Sequence, residues 1–291
     1  MDFRQLERFL AVVDHGGFHR AAEVLYVAQP SLSQSIKQLE RELGEALFHR
    51  VGRGVVLTEA GRALVEPARA VVHARGLAVE SVEAVQGLRT GRLEITAMPS
   101  QAIDPLAGVI SRFTAEYPGV RVVVRAAATA EQVVEAVRTG RTELGLLAAI
   151  RLPQRPGVGL HPVGRQRFVV VSSAGGPFSA GARVSPGELS GLRVIAGQTG
   201  TGMRAVVDEL IRSGVRLTIA VETEHREAIL PLVLGGSGVA VLADSWRELA
   251  ERSGALVADL DPPVHLDVAY AVHAGGLGPA ARTFLRMATD R

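Results

Sequence analysis

Apolar residues at Phe3, Leu6, Phe9, Leu10 and Val13 recur at the spacing of one helix face, and Gly16-Gly17 stops that helix before Phe18. A second short helix is predicted from about His19 to Leu25, where Ala21 and Ala22 are small enough for close packing. After the turn from Tyr26 to Gln29, Pro30 suits a first helical position. Leu32, Ile36, Leu39 and Leu43 then line one stripe of a third helix that ends at Gly44. The segment LFHRVGRGVVLT places two short β-prone runs on either side of VGRG, as a hairpin with an exposed basic tip does.

Thr58 is placed to cap the next helix. From Leu64 the apolar positions Leu64, Ala68, Val71, Ala78, Val82 and Val85 alternate spacings of four and three, with Arg75 as the polar intruder. Continued to about Leu88, this helix would reach on the order of 45 Å. It cannot bury its stripe alone, so the stripe packs on its own domain or pairs with a second chain, and the heptad-like period favours pairing. Pro67 is expected to kink or shift its first turns.

From Gly91 strands alternate with helices. RLEITA, VRVVVRA and TELGLLAAI read as strands, with helices at Pro105 to Tyr117 and Glu131 to Thr139 between them, which makes βαβ units and a parallel sheet. A second set runs through RFVVVSS, LRVIAG, Gly202 to Ser213, RLTIAVE, His225 to Leu234 and GVAVLAD. DVAYAVHA and a helix from Pro279 to Ala288 return to the first lobe. The predicted organisation is residues 1–57, a linker helix 58–90, and an α/β region 91–291 with one lobe at 91–160 and 269–291 and the other at 161–268.

The 291-residue chain, 47% hydrophobic, is long enough to bury two or three cores. The charged N-terminus lacks the apolar block of a signal peptide and no run of apolar residues spans a bilayer, so a cytoplasmic location without membrane association is expected. The chain contains no cysteine, which excludes disulfides, thiolate metal sites, a cysteine nucleophile and thiol-based redox sensing. The formal charge is only +2, so nucleic-acid binding has to be argued locally. Lys37 is the single lysine, and the arginine excess is assigned to genomic composition rather than function.

Locally, the third helix offers Gln29, Pro30, Ser31, Ser33, Gln34 and Lys37 near its start. Short polar side chains there reach base edges in a major groove, while hydroxyls and first-turn amides hold phosphates. Arg20 on the preceding helix, and His49, Arg50 and Arg53 on the hairpin, would meet the DNA backbone or minor groove. A small helical packing module is the alternative reading of these residues.

The stretch from MDFRQLERFL to LTEAG resembles the N-terminal domain of LysR-type transcription regulators throughout its length. The AA pair of the second helix, VAQPSLSQSIKQLE, LGEALFHR and LTEAG stand in family order and spacing. Gly17 and His19 depart from the usual serine and threonine around the phenylalanine, and Gln34 replaces a common arginine, which alters the expected half-site preference. The resemblance implies a winged helix-turn-helix, a dimerising linker helix and a two-lobed, periplasmic-binding-protein-like α/β effector domain. It further implies a homodimer or homotetramer on double-stranded DNA, with RNA polymerase as a possible further partner.

By the same resemblance a small-molecule effector sits between the lobes, against Met98, Ser100, Gln101, Ala128, Thr129, Leu147, Ala148, Gln198, Thr199, Thr201, Glu222 and Thr223. Ser100 and Thr201 at helix starts, beside free amides, favour an anionic group. No cofactor or metal is expected. A ligand-independent repressor or architectural protein is the second reading. An enzyme is the remote third: Gly200, Gly202 and Ala205 fit G-x-G-x-x-A with Glu222 beyond, but the loop is long for a dinucleotide turn. GGSG at Gly235 to Gly238 lacks the fifth glycine of a nucleophile elbow. The eight histidines show no paired ligand spacing on one helix.

Overall fold

The computed structural model describes residues 1–51, 54–84 and 90–290. They form two compact units, Met1–Gly87 with Gly275–Pro279, and Leu88–Ala274 with Ala280–Arg291.

The first unit opens with α1 (Phe3–Asp14), capped by Asp2. The Gln5 amide donates to Asp2 Oδ1 at 2.7 Å and the Asp2 amide donates to Gln5 Oε1 at 2.6 Å, so two otherwise orphaned N–H groups are satisfied reciprocally. α2 (Phe18–Val24) has Gly17 as its cap and no side-chain capping bond. α3 (Gln29–Leu43) carries Pro30 in its first turn and closes on Gly44, whose φ of 77° is the left-handed value glycine tolerates. β1 (Phe48–Val51) and β2 (Gly54–Leu57) pair antiparallel, Phe48 opposite Leu57.

α4 (Glu59–Ala84) starts where Thr58 Oγ1 accepts from the Gly61 amide at 2.9 Å and donates to Ala46 O at 2.6 Å. Leu6, Phe9, Leu10, Ile36, Leu39, Leu47 and Ala68 make one apolar cluster, and Val12, Ala21, Ala22 and Leu32 a second. Each large side chain so buried contributes roughly 1.5–3 kcal/mol. Phe48 joins the two, its ring 5.4 Å from Phe9 and 5.6 Å from Phe18.

The stripe on α4 divides. Leu64, Val65, Ala68 and Val72 pack on α1 within their own unit, and the intruding Arg75 stacks over the Phe3 ring at 4.1 Å. Val71, Val79 and Val82 remain 48%, 49% and 72% exposed, so packing on the home domain does not account for the whole stripe. The helix runs unbroken through Pro67. Val85 and the predicted end near Leu88 lie outside the described residues.

The second unit comprises β3 (Gly91–Ala97), α5 (Pro99–Gln101), a wide helical turn (Ala102–Leu106), α6 (Ala107–Glu116), β4 (Val120–Ala126), α7 (Ala130–Arg138) and β5 (Leu144–Ala149). After β6 (Val158–Ser172) and β7 (Arg183–Val184) come β8 (Arg193–Gly197), α8 (Gly202–Arg212), β9 (Thr218–Thr223), a 3₁₀ turn (Arg226–Ala228) and α9 (Ile229–Leu234). β10 (Val239–Ala243), α10 (Arg247–Arg252), β11 (Leu256–Leu260), β12 (His265–His273) and α11 (Pro279–Thr289) complete it.

The strands lie in the order β4-β3-β5-β12-β6-β10-β8-β9, with β11 on β6 and β7 on β11. β3 runs parallel to β4 and β5, and β8 parallel to β9 and β10, as βαβ units require. LGLLAA and VAVLA are apolar throughout because such strands are covered on both faces. β12 and β6 are antiparallel to their neighbours, so the sheet is mixed rather than parallel throughout. The positions taken as lobe limits, 160/161 and 268/269, fall inside β6 and β12.

One helix begins later than its sequence suggested. Asp104, held out of helical geometry at φ −144° and ψ 123° ahead of Pro105, delays the regular helix to Ala107.

Candidate DNA-binding surface and effector cleft

On α3, Leu32, Ile36 and Leu39 fill the core while Gln29, Pro30, Ser31, Gln34 and Lys37 stand exposed and Ser33 is half-buried. Spacings of three and four put Pro30, Ser33, Gln34 and Lys37 on one outward face. Ala28 provides no side-chain cap and the first turn has no acidic residue, which leaves the first amides available to a phosphate. Arg20 is exposed on α2, and among the described residues neither it nor Lys37 is in an ion pair. His49 is exposed on β1. The side chain of Arg50, and Arg53 at the hairpin tip, lie outside the described residues.

In the second unit the strand ends of the two lobes face each other. Gly200, at φ 88°, lies so close to Thr129 that a Cβ there would stand 2.9 Å from Thr129 Cγ2. A Cβ on Gly202 would stand 2.9 Å from Leu266 Cδ1 and 3.6 Å from Met98 Cε. The glycines of the G-x-G-x-x-A match therefore serve close approach between lobes, and Glu222, the supposed ribose ligand, is paired with Arg204 at 2.5 Å.

The expected effector residues separate into groups. Thr201 caps α8, accepting from the Arg204 amide at 3.3 Å and donating to Gln198 O at 2.7 Å. Thr129 caps α7, accepting from the Gln132 amide at 3.2 Å, and Gln132 Oε1 takes the Ala128 amide. Thr199 is exposed on the loop before α8. Met98 and Leu147 are buried in the apolar cluster around Val133 and Val137, and Met98 Sδ accepts from the amide of buried Ala148 at 3.4 Å. Gln101 is buried and donates to Gln166 Oε1 of β6 at 2.6 Å. On the far lobe Gln198 bonds Glu224, and Thr223 Oγ1 takes the His225 amide.

Ser100 is not a helix cap. It is the second residue of the single turn α5, and its hydroxyl receives a hydrogen bond from the Arg226 guanidinium of the other lobe. Sequence reasoning missed Arg226, which no motif distinguishes from the other arginines. The residue is half-buried, and loss of water lowers its pKa from the ordinary guanidinium value. Among the described residues no carboxylate pairs with it; neighbouring Glu227 faces His225 at 3.5 Å.

The grooves outside this cleft include two of note. One, of about 510 Å³, is lined by Asp104, Arg112, Arg165, Gln166 and Val268; the other, of about 990 Å³, by Arg125, Glu131, Gln132, Arg141 and Arg155. Among the described residues no group of three His, Cys, Asp or Glu could hold a metal, and no helix is long and apolar enough to cross a membrane.

A winged helix-turn-helix followed by two α/β lobes that meet at their strand ends is the layout of a DNA-binding transcription regulator with an effector-binding domain. Residues 3–62 match the bacterial regulatory helix-turn-helix proteins of the lysR family, and residues 86–291 match the LysR substrate binding domain. The chain belongs to the LysR family of transcription regulators.

Among its relatives are the transcriptional regulator CbbR of Rhodospirillum rubrum, 30% identical over 87% of this chain and 83% of that protein, and TfdS of Cupriavidus pinatubonensis, 28% identical over 99% and 98%. Full-length OxyR from Pseudomonas aeruginosa, solved as a cysteine-to-aspartate variant, superposes with a TM-score of 0.78 at 25% identity, covering 99% of this chain and 93% of that one. Without a cysteine, this chain has no counterpart to the residue altered in that variant.

Proposed function

We propose that this chain is a cytoplasmic regulator that reads an interrupted palindrome through α3 and answers to a small anionic effector held between its lobes. The observation that carries the effector reading is Arg226: a guanidinium partly removed from water, with a serine hydroxyl as its partner and, among the described residues, no carboxylate to balance it. An uncompensated cation in a partly desolvated site is costly, and a ligand carboxylate or phosphate would relieve it through charge-assisted bonds. Ser100 and the amides at the starts of α7 and α8, beside Thr129 and Thr201, would complete the site. The chemistry is binding rather than catalysis, since the glycines that suggested a cofactor loop serve lobe contact.

Val71, Val79 and Val82 support pairing of α4 with a second copy, which would set two winged domains on the two half-sites, with a dimer of dimers as the full assembly. Effector binding that favours one lobe arrangement would then change the bend imposed on DNA and the engagement of RNA polymerase. Residues 1–57 would bind DNA, 58–90 dimerise and 91–291 sense the ligand. The close approach of Gly200 to Thr129 and of Gly202 to Met98, both in the other lobe, favours a second reading, a repressor that needs no ligand.

The test is a salt-controlled titration of the full chain on operators selected from random duplexes, against scrambled DNA, with and without small carboxylates and phosphates. Paired half-sites and an anion-dependent bend are expected. Equal affinity for all DNAs would overturn the regulator reading, and a bend indifferent to every anion would leave the ligand-independent repressor.

A further inference from the structure

The turn between α2 and α3 is closed by a residue ill suited to its backbone. The Tyr26 amide donates to Glu23 O at 3.2 Å and the Val27 amide to Ala22 O at 3.0 Å. This is the pair of reversed bonds that ends a helix through a left-handed residue just beyond the cap, a place usually held by glycine and sometimes by asparagine. Tyr26 holds it at φ 53°, and among the described residues it is the only non-glycine with positive φ.

Val27 supplies the apolar contact that accompanies such a closure, packing against the cluster of Val12, Ala21, Ala22 and Leu32. The Tyr26 ring does the opposite. At 96% exposed it buries almost nothing, so hydrophobic burial does not offset the strain of a bulky side chain in this region. The ring is therefore placed for something outside the fold. It precedes the α3 cap, Ala28, by two residues and lies in the same turn as the uncapped amides that begin the candidate recognition helix.

We propose that Tyr26 is a DNA-backbone contact, its phenol O–H donating to a phosphodiester oxygen that flanks the base pairs read by α3. Tyrosine is among the side chains that bond phosphates, and such contacts fix register without reading sequence. The inference rests on α3 being the recognition helix.

The experiment uses the full chain with a selected operator and scrambled DNA of equal length, titrated at several salt concentrations, for Tyr26→Phe, Tyr26→Asn and Gln29→Ala. Tyr26→Phe is expected to weaken both DNAs by the same factor, about tenfold or more for one hydrogen bond to an ionised phosphodiester. The slope of log affinity against log salt stays unchanged, because no charge is lost. Tyr26→Asn is expected to bind as weakly as Tyr26→Phe while melting no earlier than wild type.

Wild-type affinity in Tyr26→Phe overturns the proposal, as does a loss confined to the operator, which would make the ring a base reader. Early melting of Tyr26→Asn overturns it too, by making the ring structural. Gln29→Ala probes the recognition helix on its own: an unchanged preference for the operator sinks that reading, and a uniform loss in Tyr26→Phe then still places the phenol on DNA.

Discussion

The Arg226 guanidinium donates to the Ser100 hydroxyl, so the turn after β9 in one lobe is tied to the turn after β3 in the other. A neutral hydroxyl satisfies one N–H of five and none of the charge. A bound carboxylate or phosphate would satisfy both, and would bind where the two lobes are held together.

Anion binding is therefore expected to raise the thermal midpoint of the wild-type chain, since a ligand at a hundred times its Kd adds about 2.7 kcal/mol. Arg226→Gln should lose that response while its ligand-free midpoint stays the same or rises, because an uncompensated cation is gone. Differential scanning fluorimetry over a panel of small carboxylates and phosphates gives the readout. Equal stabilisation of both proteins would remove Arg226 from the site.

On α4, Val79→Asp combined with Val82→Asp places charges where 49% and 72% exposed valines now stand. Neither touches the domain core, so the fold should persist while self-association fails. Sedimentation velocity is expected to show the wild type as a dimer or larger and the variant as a monomer. An unchanged mass would move the interface off this helix.

Gly61 gives a stability prediction opposite in sign to helix propensity. Alanine normally stabilises a helix over glycine by nearly 1 kcal/mol. Here a Cβ would run into the Leu47 carbonyl oxygen and lie 2.9 Å from Leu57 Cδ2, both in the segment that forms the wing. Gly61→Ala should cost about 1–3 kcal/mol through overpacking, measured by urea denaturation followed by circular dichroism. A stabilised variant would mean that the wing does not sit so close to α4.

Asp259 makes a pH prediction. Partial burial would raise its pKa, but Arg247 Nη2 at 2.5 Å and Arg167 Nη2 at 2.8 Å outweigh that and hold the carboxyl below its ordinary value. A group with a depressed folded pKa stabilises the protein above its unfolded pKa, about 3.9, and that contribution disappears as pH falls through the folded value. Asp259→Asn is expected to lower stability at pH 7 by about 1 kcal/mol. The gap to wild type should close below about pH 4. A gap constant from pH 7 to pH 3 would show that the pair's charge is not its source.

The first unit was readable in the sequence almost element by element, because its helices carry apolar stripes with strong punctuation: Gly16-Gly17, Pro30, Gly44 and Thr58. The lobes were readable where βαβ repetition produced long apolar strands such as VAVLA. β7, β11 and α10 were not read, being short and set by pairing partners rather than by a period of their own. Ser100, Thr129 and Thr201 were legible as turn residues near strand ends. Arg226 was not, since its significance comes from a partner 126 positions away in sequence and from the absence of a carboxylate among the described residues, neither of which leaves a local pattern.

β6 pairs with β12 from Val158 to Arg167 and continues without a break along β10 and β11 to Ser172. The ladder slips once, between Val268 and Ala269 of β12, opposite the Pro162 to Gly164 stretch of β6. The lobes are thus joined by hydrogen-bonded ribbon rather than by slack chain. In mechanical terms such a ribbon would act as a torsion spring, resisting stretch more than twist, with the interrupted ladder at the slipped register as its expected weak point. A ligand that pulls on Arg226 and Ser100 would load this spring, so the signal leaving the domain would be an angle, graded by the stiffness of a few strand residues far from the ligand itself.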